Sequence, residues 1–144
     1  MGSPKLKIAC LLVAAACSKN ADEPPPAPTS PGLRVKIAAA ETIWSPAAIA
    51  VVPHHAVANT GGDARDTWSL KDLAHAKVGA TARVISVTGS DGTRTIDAAE
   101  WARTDQTPVL HVTRRGGWKF RYEDASGKWG PGIVNDVTAI EITP

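Results

Sequence analysis

The chain has 144 residues, 43% of them hydrophobic and 21% charged, which suits one folded domain and argues against general disorder. Its formal net charge of +2 comes from the N-terminus: with Lys5 and Lys7 set aside, 14 basic residues face 14 acidic ones. A neutral remainder removes the electrostatic case for nucleic-acid binding. The only cysteines, Cys10 and Cys17, lie near the N-terminus, so the rest of the chain has no disulfide, thiolate metal site or redox pair.

Lys5 and Lys7 precede an apolar and small-residue run, residues 8–16, that ends in Ala14-Ala15-Ala16. This order of charge, apolar run and small residues predicts a secretory signal peptide over residues 1–16. The run is far shorter than the roughly 20 residues a membrane-spanning helix needs. Val13-Ala14-Ala15-Ala16-Cys17-Ser18 resembles the lipobox of bacterial lipoproteins, with Ala14 where that family prefers Leu. The resemblance implies that Cys17 is lipidated and becomes the mature N-terminus. In Gram-negative members, Ser18 in place of Asp implies sorting to the outer membrane, facing the periplasm. Residues 17–32 read as a disordered tether. Pro24, Pro25, Pro26, Pro28 and Pro31 fix φ and remove N–H donors, which predicts an extended spacer at about 3.1 Å per residue.

Residues 33–144 are expected to form a single globular domain. Residues 33–38 alternate like a strand. Residues 47–52 form an apolar run compatible with a strand or a helix. Residues 54–66 are polar and contain glycine, which predicts a loop. Ser69 can cap a helix that places Leu70, Leu73 and Ala74 on one face. Residues 82–88 and 93–96 read as strands of a hairpin turned at Asp91-Gly92, followed by a short helix over residues 98–103. Residues 109–113 should pair with 118–122, where Trp118, Phe120 and Tyr122 share one face and Lys119 and Arg121 the other. A Gly-rich loop is expected at 126–132 and a last strand at 137–142. The expected fold class is α+β, a mostly antiparallel sheet of about six strands with two short helices, its aromatic face packed under a helix.

The candidate sites are few. His54 and His55 are adjacent, which sends their side chains to opposite faces of a strand, and His75 and His111 stand alone. All four are expected at the solvent surface rather than on a metal. Arg114, Arg115, Lys119 and Arg121 cluster around one turn and suit an anionic ligand, a lipid headgroup or an acidic partner; the plainer expectation is a solvated hairpin tip with edge-strand charges. Trp129, in the expected glycine-proline loop, is a candidate interface anchor. No nucleophile elbow, HExxH pair or phosphate-binding glycine loop is present. The domain therefore reads as non-catalytic and cofactor-free, meeting the membrane through its anchor and an envelope protein through Trp129 and the Arg114–Arg121 turn.

The order of Ser69-Leu70-Lys71-Asp72-Leu73, Asp91-Gly92, Pro108-Val109-Leu110 and Gly117-Trp118-Lys119-Phe120 resembles the molybdopterin-binding domain of sulfite-oxidase-like oxidoreductases. That family ligates molybdenum with a cysteine, and residues 33–144 contain none. The resemblance thus implies a degenerate or accessory relative of an oxidoreductase, not the enzyme itself.

Overall fold

The computed structural model describes Gly2, residues 31–58 and residues 61–144. The expected signal peptide, Cys17 and nearly all of the tether lie outside the described residues. The domain is α+β. Ten strands run in the order β1 (Leu33–Ile37), β2 (Ala40–Trp44), β3 (His55–Ala58), β4 (Ala64–Ser69), β5 (Arg83–Gly89), β6 (Gly92–Thr95), β7 (Gln106–Val112), β8 (Trp118–Asp124), β9 (Trp129–Val134) and β10 (Ala139–Thr143). Three short helices interrupt them: α1 (Pro46–Ala50), α2 (Leu70–Lys77) and α3 (Ala98–Ala102).

The strands form two five-stranded sheets, ordered β2-β1-β10-β5-β6 and β3-β4-β7-β8-β9. Among the described residues β1 and β10 pair in parallel and the other neighbours are antiparallel. The single sheet of about six strands is thus corrected to two sheets and three helices. Two expected loops are in fact paired. Residues 54–66 contain most of the β3–β4 hairpin, and residues 126–132 run into β9. Polar and glycine-rich texture hid both. β9 is an edge strand, so Pro131 costs it no central ladder bond.

Local chemistry sets several boundaries. Ser45 caps α1 by accepting from Ala48 N at 3.1 Å, with Pro46 at the first helical position, where a missing N–H costs nothing. This decides the ambiguous run at 47–52 for helix. Ser69 caps α2 by accepting from Lys71 N and Asp72 N. A register shift opposite Glu141 and Ile142 bulges β5 at Ile85, so Val84 and Val87 both point inward although three residues apart.

The core lies between the sheets. Leu33, Val35, Val84 and Ile140 of the first sheet meet Trp68, Leu110, Trp118 and Phe120 of the second, with Leu70 and Leu73 of α2 alongside. The aromatic face of β8 therefore lies in a core to which α2 and both sheets contribute. Edge-to-face contacts join Trp68 to Trp118 and Phe120 to Tyr122. Trp118 also donates its indole N–H to the Pro31 carbonyl at 2.8 Å, which fastens the chain entering β1 to the second sheet.

Candidate functional site

The second sheet has two interiors. Its inner face joins the core, and its outer face carries Val57, Thr67, Val109 and His111, all buried. Burial on the far side of a sheet needs a cover, and here the sheet covers itself. β3 and β8 are three strands apart in the sheet order, about 14 Å if flat. Yet His55 Nε2 lies 2.8 Å from a Glu123 carboxylate oxygen, one side chain on each of those strands. The sheet must curl, and two register shifts between β8 and β9 supply local coiling.

The curl leaves a concave cleft of about 670 Å³. Arg65 of β4, His111 of β7, Lys119 and Arg121 of β8, and Lys128 and Trp129 at the start of β9 line it, with Arg114 at its mouth. The volume falls within the usual range of small-molecule sites, roughly 300–1,000 Å³. β8 is an interior strand, so Lys119 and Arg121 are not edge-strand charges; their alternation turns them into the cleft. Gly132 on β9 makes room for Lys119, since a Cβ there would stand 2.3 Å from Lys119 Cε.

At the centre is an ordered trio. His111 and Trp129 stack with ring centroids 4.1 Å apart and planes 17° from parallel. Arg121 Nε donates to His111 Nε2 at 3.0 Å, and another of its nitrogens donates to the Gly130 carbonyl at 2.8 Å. The same guanidinium lies 5.3 Å from the Trp129 ring centroid. An accepting Nε2 carries no proton, so the neutral tautomer holds its proton on Nδ1, which points to the Val112 carbonyl at 3.3 Å. Burial, then the charges of Arg121, Lys119 and Arg65, push His111 down to about 4. Burial also lowers Arg121 from the ordinary arginine value, yet a guanidinium stays charged in proteins.

The cations outnumber their partners. Asp63 pairs with both Arg65, at 3.5 Å, and Arg114. Among the described residues no carboxylate lies within ion-pairing distance of Lys119, Arg121 or Lys128. The Trp129 indole N–H is buried without a partner among the described residues. Unmatched buried donors of this kind mark places where water or a ligand oxygen belongs.

The structure thus gathers four of the five expected partner-binding residues, Trp129, Arg114, Lys119 and Arg121, around one cleft. Arg115 does not line that cleft; it lines a neighbouring, more open hollow that shares Arg114 and Lys119 with it and adds Ser90, Asn135 and Asp136. Trp129 is half-buried in a strand, not displayed on a loop. His111 is 4% exposed, which corrects its expected place at the solvent surface. Arg65, His111 and Lys128 were not among the expected ligand contacts; the unbroken apolar setting of His111 in Pro108-Val109-Leu110-His111-Val112 was the available signal for its burial.

The remaining histidines diverge. His54 donates from Nδ1 to the Val52 carbonyl and packs at a tilt against Trp68, His55 meets Glu123, and His75 is exposed on α2. Among the described residues no group of three or more His, Cys, Asp and Glu side chains could hold a metal. No protein-family model matches the chain, and neither curated proteins nor solved structures yield a significant match.

Proposed function

We propose that this protein is a lipid-anchored envelope lipoprotein whose folded domain binds without catalysing, and that the cationic cleft of the curled sheet is its binding surface. One observation carries the reading: Arg121 is held in a partly buried cleft by a neutral histidine and a carbonyl, with no described carboxylate opposite it. A buried charge without a counter-charge is costly, and a partner bringing negative charge offsets that cost. The second support is chemical. The cleft holds fixed donors and an aromatic wall, but its one histidine is committed to Arg121 and no nucleophile–base pair is assembled around it. The anchor rests on the lipobox resemblance around Cys17 and the proline-rich spacer after it.

A second reading is an oxidoreductase accessory that holds a pterin without ligating its metal. The pairing of half-buried Trp129 with cations, in a cleft large enough for a ring and a phosphate, favours it. Native mass spectrometry of the full-length protein, extracted in detergent from its own membranes, separates the readings. Protein-plus-lipid mass, alone or with a second polypeptide, supports the tethered binding module. A retained pterin mass supports the accessory reading. Cys17→Ser should move the protein from the membrane to the soluble fraction; unchanged membrane association would overturn the anchor.

A further inference from the structure

The cleft is unlike a flat protein-docking surface. It is concave, about 670 Å³, and its central cation is positioned by two hydrogen bonds rather than left to swing. Positioning matters, because a fixed fork of N–H donors recognises planar or tetrahedral oxygen groups better than a mobile ammonium does. Lys119 lies on Gly132 beside that fork, on the same face of β8. Arg65 and Arg114 stand at the other side, already sharing Asp63. Among the described residues Lys119, Arg121 and Lys128 make no ion pair, although Asp91 and Asp124 act on Lys119 and Lys128 from farther away.

We infer that the cleft is a receptor site for an oxoanion carried on a small aromatic molecule, with the anionic group seated between Lys119 and Arg121 and the ring against Trp129. This rests on the binding-module reading above and names the chemistry of its ligand. Trp129 and Arg121 give the site two surfaces of different character. The Trp129 ring supplies apolar contact, and the Arg121 guanidinium beside the ring supplies charge. His111 is a positioning residue. It stacks under Trp129 and accepts from Arg121, so it holds both recognition groups at once without needing to touch the ligand. Its neutral form is what makes this possible, since a protonated Nε2 would oppose the Arg121 N–H.

The test is calorimetric titration of the full-length lipidated protein in detergent with phenyl phosphate, inorganic phosphate, phenyl sulfate and benzyl alcohol. Imidazole NMR signals of His111 are followed in parallel. Phenyl phosphate should bind and shift the His111 signals. Inorganic phosphate should bind about tenfold more weakly, for lack of the ring contact. Phenyl sulfate tells a requirement for a dianion from one for any oxoanion, and benzyl alcohol should not bind. Lys119→Met, whose side chain keeps the stem over Gly132, should weaken phenyl phosphate at least tenfold with the melting temperature held. Trp129→Leu should erase the difference between phenyl and inorganic phosphate. Arg121→Lys keeps the charge but loses the fork, and should weaken both phosphates.

Equal affinity of wild type and Lys119→Met, or no heat and no His111 shift with any oxoanion, overturns the inference. Capture of an acidic polypeptide at the same cleft, sensitive to Lys119→Met while every oxoanion fails, overturns the small-ligand inference and leaves the binding module standing. Failure of all these probes and of every co-purified partner overturns both.

Discussion

Protonation of His111 should destabilise this domain from within the cleft. In the folded protein His111 is pushed down to about 4, against an ordinary value of 6.5. Burial is the first cause, and the charges of Arg121, Lys119 and Arg65 add to it, while the Val112 carbonyl works the other way. A depressed folded value means that the unfolded chain binds the proton more readily. The stabilisation is therefore fully present above about pH 6.5 and is lost as the pH falls toward 4. The whole difference corresponds to about 3 kcal/mol; solvent reaching the open cleft screens part of it, leaving about 2 kcal/mol. His111→Gln isolates this contribution, because glutamine stays neutral and its carbonyl oxygen can accept from Arg121. Urea unfolding of both proteins between pH 8 and pH 4 should give parallel stabilities above pH 6.5, then a loss of about 2 kcal/mol in the wild type relative to the variant. A wild-type His111 NMR midpoint near 6.5, or identical pH slopes in the two proteins, would refute the arrangement.

Three further perturbations probe the scaffold. Phe120→Ala removes a fully buried ring between the sheets and should cost about 3–5 kcal/mol in chemical denaturation. Gly89→Ala places a Cβ 2.1 Å from the Asn135 carbonyl oxygen, a backbone atom that cannot swing away; a loss of about 2 kcal/mol or more is expected as a drop in melting temperature. Ser69→Ala leaves two α2 amides without their acceptor and should cost about 1 kcal/mol, read by urea unfolding.

Arg94, Glu100 and Tyr122 show how a surface helix is tied to the core. Glu100 accepts from Arg94 at 2.6 Å and from the Tyr122 hydroxyl at 2.5 Å. Tyr122 is raised well above the ordinary tyrosine range, by burial first and the Glu100 carboxylate second. It therefore remains a donor at any physiological pH. The contact joins α3 to β8 from the core side, opposite the cleft, and so steadies the strand that carries Lys119 and Arg121.

Local readings succeeded wherever a short-range rule was sufficient. Ser69 capped its helix, the β5–β6 hairpin formed with its turn one residue earlier than expected, at Ser90-Asp91, and Trp118, Phe120 and Tyr122 shared a buried face, each because the controlling interaction lies within a few residues. The alternation of Lys119 and Arg121 with those aromatics was equally legible. Where those two cations point could not be read, because an outward face becomes an interior only if the sheet curls over it. That curl depends on a contact between distant segments, His55 with Glu123, and on how the β3–β4 and β8–β9 hairpins sit beside it, the latter through shifted register. β9 itself carries Trp129-Gly130-Pro131-Gly132, whose composition argues for a loop until an edge position and the Lys119 side chain give those residues a use. The sequence alone determined the neutral balance beyond the N-terminal lysines, the absence of cysteine after Cys17 and the period-2 pattern of β8. Tertiary structure alone decided that His111 accepts from Arg121 and that Arg65, Lys119, Arg121 and Lys128 converge, because convergence is set by sheet curvature and a single strand carries no record of it.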